Sequence, residues 1–133
     1  MKNEISVTPL VSVGRIKFGM NRSDVRQILG GDFVEFRKSK FSKNTSDDFH
    51  FLHVYYDVDD KCIAVELFDD LVIKENDVII PMEQKHNQKW LCDLDKNAEI
   101  TENDAISQKL SIGISYIDGK VDSILFGRKG YYE

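Results

Sequence analysis

No stretch of this 133-residue chain contains the run of about 18 apolar residues that a membrane-spanning helix needs. The N-terminal MKNEISVTPLVSVG alternates apolar with polar residues, carries Glu4 and Pro9, and is followed by no small-residue cleavage site. It reads as folded protein and not as a signal peptide, and no cysteine near the start offers a lipid attachment point. The expected location is the cytoplasm. Cysteine is scarce as well. Cys62 and Cys92 are the only two, and lone thiols in a cytosolic chain read as reduced core residues. Positive charge is the minority sign, with 18 Lys and Arg against 23 Asp and Glu and a net charge of −5. That balance argues against non-specific nucleic-acid binding, which needs a basic footprint. By electrostatic steering it favours a neutral or basic partner.

Catalytic and ligand motifs are missing too. FGMNRSD (18–24) has one glycine and no lysine–hydroxyl pair, so it fits neither a P-loop nor a dinucleotide loop. Asp24 would repel a phosphate there. DVDDK (57–61) begins like a calcium loop, but Cys62 and Phe68 stand where glycine and glutamate are required. His50, His53, His86, Cys62 and Cys92 are the soft ligands, and they show no metal-binding spacing. GRKG (127–130) matches the KH-domain loop in letters only, because that loop joins two helices. No serine sits in a nucleophile elbow. No catalytic residue, cofactor or metal ligand is therefore assigned.

What is present is a globular composition, 41% hydrophobic and 31% charged, in a length suited to one domain. Residues 5–18 read as extended, with Val11, Val13, Ile16 and Phe18 at strand-like spacing and Gly14 as a bulge. A short helix follows over Arg22–Leu29. Asn21 is the expected N-cap, Asp24 reaches back to it, and Met20 and Val25 form a hydrophobic staple. Val25, Ile28 and Leu29 make one apolar stripe, and Gly30 closes the helix in the left-handed conformation. Residues 37–48 read as a polar loop. The clearest hairpin pairs 50–57 with 62–68, with Ile63, Val65 and Leu67 on one face. DLVIKENDVII (70–80) suggests two short strands around a turn at 75–77. Pro81 opens an expected helix over 81–91, where Met82, His86 and Trp90 share a stripe. Residues 93–107 read as a polar connector. Leu110, Ile112, Ile114 and Tyr116 then alternate inward, and Asp118-Gly119 turns the chain into the last strand. The expected fold is α+β: a single domain (1–133), an antiparallel sheet of hairpins with one or two short helices packed on one face.

The remaining signal is a surface set of acids and aromatics: Tyr55, Tyr56, Asp57, Asp59, Asp60, Phe68, Asp69, Asp70, Tyr131 and Tyr132. Tyrosines beside acids suit a protein interface. The alternative is that half of the tyrosines are core and the acids solubilise.

Two resemblances bear on function. Ile16, Gly19, Met20, Val25, Ile28, Leu29 and Gly30, with Asn21 at the cap, resemble the helix pattern of the β-lactamase-inhibitor-protein-like fold, which also includes the small lipoprotein of outer-membrane β-barrel assembly. That resemblance implies a short capped helix or helix pair followed by an antiparallel sheet. The HVYYD…IAVELF hairpin, SIGISYIDGKVDSILFG and the terminal GYYE are similar to the small acidic immunity proteins encoded beside bacterial polymorphic toxins. This implies stoichiometric inhibition of a cognate toxin by direct binding, without catalysis or cofactor. Two other functions stay open: a small-ligand or enzymatic pocket near Trp90 and His86, and a structural accessory of a secretion or phage-like system. The oligomeric state is also open.

Overall fold

Short amphipathic strands dominate the computed structural model, which describes residues 3–133. The N-terminal stretch is a three-strand meander of β1 (Asn3–Thr8), β2 (Ser12–Val13) and β3 (Ile16–Lys17). It buries Val7, Val13 and Ile16, whereas Val11 is 53% exposed. Gly14 is the β2–β3 turn and not a bulge: Val13 pairs with Ile16 and Gly14 takes φ +58°, a value that favours glycine.

Helix α1 (Arg22–Leu29) lies where the sequence predicts it and buries Val25. Its caps differ from expectation. Asn21 holds the N-cap backbone position, but its side chain makes no capping bond and instead accepts from Lys61. An isolated bridge to Lys61 anchors the residue and turns its amide outward. Gly30 does take a positive φ of 93°, but its ψ of 175° is extended and not left-handed helical, as the chain leaves directly for the sheet.

The expected 37–48 loop ends early. β4 (Val34–Phe36) and β5 (Ser46–Asp48) pair across it, and Ser46 and Asp47 are buried. Hydropathy hides this strand because its inward residue is an ionised aspartate. β6 (Leu52–Tyr56) and β7 (Cys62–Phe68) form the predicted hairpin. A register shift after Tyr55 sends Cys62 into the core with Val65 and Leu67, while Ile63 joins the opposite face. β8 (Leu71–Glu75) and β9 (Val78–Ile79) flank Asn76 and Asp77, both at positive φ, as a tight hairpin turn requires.

Helix α2 runs over Gln84–Leu94, three residues later than predicted. Glu83 caps it by accepting from the N–H groups of Lys85 (3.0 Å) and His86 (3.2 Å). Pro81 stays outside the helix and its carbonyl accepts from Asn87 (2.8 Å). The predicted connector contains two further strands, β10 (Glu99–Ile100) and β11 (Asp104–Ser107). β12 (Ile112–Ile117) and β13 (Lys120–Gly127) close the chain as the expected hairpin, with Asp118 and Gly119 at positive φ.

Two sheets result. The smaller has the order β3-β2-β1-β8-β9, with β1 parallel to β8. The larger is antiparallel, in the order β10-β11-β12-β13-β7-β6-β5-β4. The inward face of the large sheet (Leu52, Val54, Val65, Leu67, Ile112, Ile114, Ile124 and Phe126) shares one core with Val7, Val13 and Ile73 of the small sheet. Val25 of α1 and Leu91 of α2 join the same core. Each of these side chains contributes about 1.5–3 kcal/mol when withdrawn from water. The fold is α+β. Among the described residues, no helix is long and apolar enough to cross a membrane.

The other face of the large sheet bears a second, smaller apolar cluster of Tyr55, Ala64 and Leu125, covered by Phe36, Ile63, Tyr131 and Tyr132. This outer face positions the candidate site.

Candidate functional site

The β6–β7 turn sets one wall. Asp57 Oδ1 accepts from the N–H groups of Asp59 (2.9 Å) and Lys61 (3.0 Å), which folds 57–61 into a tight loop. Its Oδ2 faces Arg128 Nη1 at 3.3 Å. Asp60 Oδ1 accepts from Asn44 Nδ2 (2.7 Å) and Arg22 Nη1 (3.2 Å). The Lys61 N–H holds the Asp57 carboxyl below its ordinary value, and Asn44 then Arg22 do the same for Asp60. Asp59 is exposed and, alone of the three acids, has no such partner among the described residues.

Beneath this turn lies an ion cluster. Asp47 has no exposed surface, and its oxygens accept from Arg22 Nη2 (2.9 Å), Arg26 Nε (2.9 Å), Arg26 Nη2 (2.8 Å) and the Tyr56 hydroxyl (2.9 Å). The Arg22 guanidinium also stacks 4.4 Å from the Tyr56 ring centroid. A buried carboxylate persists only with such compensation. The cluster ties α1 to β5 and β6 and so fixes the end of the 37–45 loop.

Tyr55 points to the outer face and donates to Glu66, which also accepts from Ser123 (2.8 Å). The C-terminal turn folds back over that face, with the Tyr131 and Tyr132 rings edge-to-face at 5.0 Å. Two glycines make the seat. A Cβ on Gly127 would stand 2.7 Å from Tyr131, and a methyl on Gly113 would overlap the Tyr132 hydroxyl.

Between the 37–45 loop, the β6–β7 turn and Tyr131 opens a groove of about 350 Å³. Tyr55, Tyr56, Asp57, Val58 and Tyr131 line it together with Lys38, Lys43, Asn44 and Ser46. Lys38 Nζ sits 4.5 Å from the Tyr55 ring centroid and 3.5 Å from the Tyr131 hydroxyl. Val58 is 65% exposed, and Phe41, next to the groove-lining Ser42, is 81% exposed.

The acid and aromatic set therefore does not form one surface. Tyr55, Tyr56, Asp57 and Tyr131 converge on the groove, with Asp59 and Asp60 in its turn. Tyr55 and Tyr56 are each only 6% exposed, so they form a floor and not projecting contacts. Tyr132 is seated on Gly113. Asp69 and Asp70 follow β7 at its other end, roughly 20 Å away along seven residues of strand, and Phe68 packs on His53 (4.7 Å). Sequence reasoning missed Lys38, Lys43, Ser46 and Phe41. The readable signal was Phe41, one large aromatic inside a polar run.

A second concavity, an open cleft of about 340 Å³, lies where Trp90 and His86 were expected to line one. Val78, Ile79, Pro81, Lys89 and Asp93 complete it, and His86 Nδ1 is 2.8 Å from Glu83. Among the described residues, no group of three or more His, Cys, Asp or Glu side chains is placed to hold a metal ion. The cysteines are free, and burial pushes the Cys62 thiol up to about 12.

No protein-family model, curated protein or solved structure matches this chain.

Proposed function

We propose that this protein is a non-catalytic, protein-binding inhibitor of the immunity type, which neutralises a cognate bacterial toxin in the cytoplasm by direct binding. The observation that supports this reading is the groove: a tyrosine floor with the exposed Phe41 and Val58 beside it. Rigid aromatics offer large contact area at low entropic cost, and interfaces concentrate their binding energy in such anchors. Burying Phe41 against a partner contributes about 1.5–3 kcal/mol. The test is capture of stoichiometric partners by the tagged protein in its native cells, followed by co-expression of the captured protein with wild type or with Phe41→Asp/Val58→Asp. The expected result is one toxin-like partner, protection by wild type, and binding weakened at least about tenfold by the double variant. No captured partner, or full protection by the double variant, would sink the reading.

A second reading, a small-ligand or enzymatic pocket, is favoured by the mostly apolar cleft of Val78, Ile79, Pro81 and Trp90. Native mass spectrometry of the purified protein checks it through a bound mass that Trp90→Ala removes.

A further inference from the structure

The groove carries the opposite charge to the protein as a whole. Net charge is −5, yet the loop beside the groove is RKSKFSK (37–43), with Arg37, Lys38, Lys40 and Lys43 and no acid. None of these four has a carboxylate partner among the described residues. Arg37 donates to the Ser42 carbonyl (2.8 Å), and Lys38 and Lys40 rest on the Tyr55 and Phe41 rings. Of the acids nearby, Asp57 is matched by Arg128, Asp60 by Arg22 and Asp47 by two arginines, which leaves Asp59 of the turn. What remains beside the groove is an excess of positive charge, four cations of the 37–43 loop against Asp59.

A second observation points the same way. Ser46 lines the groove at 5% exposure, and among the described residues its hydroxyl is engaged in no hydrogen bond. That hydroxyl can donate to an acceptor that enters the groove.

We propose that the groove receives an acidic side chain of the partner protein. Its carboxylate is met by Lys38, Lys43 and the Ser46 hydroxyl, and the adjoining apolar residue rests on Tyr55 and Tyr131. Ammonium groups and a hydroxyl are all donors and match a carboxylate in charge and hydrogen bonding, while the tyrosine floor takes carbon. The inference rests on the protein-binding reading, and it reverses the partner charge that the net balance suggests: the patch facing this groove is acidic.

The test is a titration of the ¹⁵N-labelled protein with acetyl-Leu-Asp-amide and with acetyl-Leu-Asn-amide, followed by amide shifts. The expected result is saturable shifts at Lys38, Ser46, Tyr55 and Tyr131 with the aspartyl peptide, about tenfold weaker binding of the asparaginyl peptide, and loss of both in Lys38→Glu/Lys43→Glu. Equal binding of the two peptides, shifts elsewhere, or equal shifts with acetate alone overturn the assignment. The wild-type comparison stands without the variant, and thermal melting confirms that the variant is folded. The peptide titration needs no toxin, so a failed capture experiment overturns the inhibitor reading and leaves this measurement to decide the groove on its own.

Discussion

Asp47→Asn removes one charge and almost no volume from a fully enclosed polar site. The carboxylate has no exposed surface and accepts four hydrogen bonds of 2.8–2.9 Å from Arg22, Arg26 and Tyr56. An amide keeps the shape but turns one acceptor into a donor that faces a guanidinium. Breaking a buried ion pair costs about 3–5 kcal/mol because the surviving charge stays buried. Arg26 is 28% exposed and retains Glu35, and Arg22 retains Asp60, so the lower end applies. The expected loss is about 3 kcal/mol, or roughly 10 °C in Tm for a domain of this size.

The pH dependence separates this cause from a packing defect. Burial alone pushes the Asp47 carboxyl up, but hydrogen bonds from Arg26, Arg22 and Tyr56 outweigh it and leave it below the usual aspartate value. A depressed folded value contributes stability that is present above the unfolded value of about 3.9 and lost as pH falls through the folded value. Wild type therefore loses this contribution in acid, whereas Asp47→Asn never has it, and the two stability curves draw together below pH ~4. Urea denaturation followed by the fluorescence of Trp90, the only tryptophan, measures both quantities. A loss under about 1 kcal/mol at neutral pH, or a gap that stays constant into acid, would refute the reasoning.

Gly113→Ala forces Tyr132 off its seat and is expected to cost about 1–3 kcal/mol; in a Tyr132→Ala background the cost should nearly vanish, which a double-mutant cycle measures. Asn87 is fully buried between the Pro81 carbonyl (2.8 Å) and the Tyr116 hydroxyl (2.7 Å). Asn87→Leu orphans both groups and should lower stability by about 1–3 kcal/mol for each, read by chemical denaturation. Cys62, buried and with its thiol held near 12, should be inert to a disulfide reagent at pH ~8 while the half-buried Cys92 reacts; the second thiol should appear only on unfolding, and prompt modification of both would contradict the burial.

Period and turn chemistry were legible from the sequence wherever one side chain decided the local geometry. Asn76-Asp77 and Asp118-Gly119 turn because their backbones tolerate positive φ, and the alternation of Ile112, Ile114 and Tyr116 holds because β12 buries one face. What stayed hidden depends on residues far away in the chain. Asp47 makes a buried strand residue only because Arg22 and Arg26 arrive from α1, so a strand reads as a loop. β10 and β11 add to the sheet edge through backbone pairing, for which short runs of mixed polar and apolar residues (Glu99–Ile100 and Asp104–Ser107) give little sign. Ile63 leaves the predicted face because the register shifts by one residue beside it.

The site shows the same limit in its sharpest form. Counting charges treats every acid as available, and on that count Asp57, Asp59 and Asp60 make an acidic surface. In the fold, Arg128, Arg22 and Asn44 occupy two of the three, while the lysines of the 37–43 loop keep no carboxylate among the described residues. An ion pair spanning 71 residues, as between Asp57 and Arg128, leaves no mark on local composition. The field presented to a partner is set by the charges left over after folding, and at this groove the remainder has the opposite sign to the total. An acidic protein can therefore offer a basic seat, and the charge of the partner's facing patch follows from the pairing map rather than from the sum.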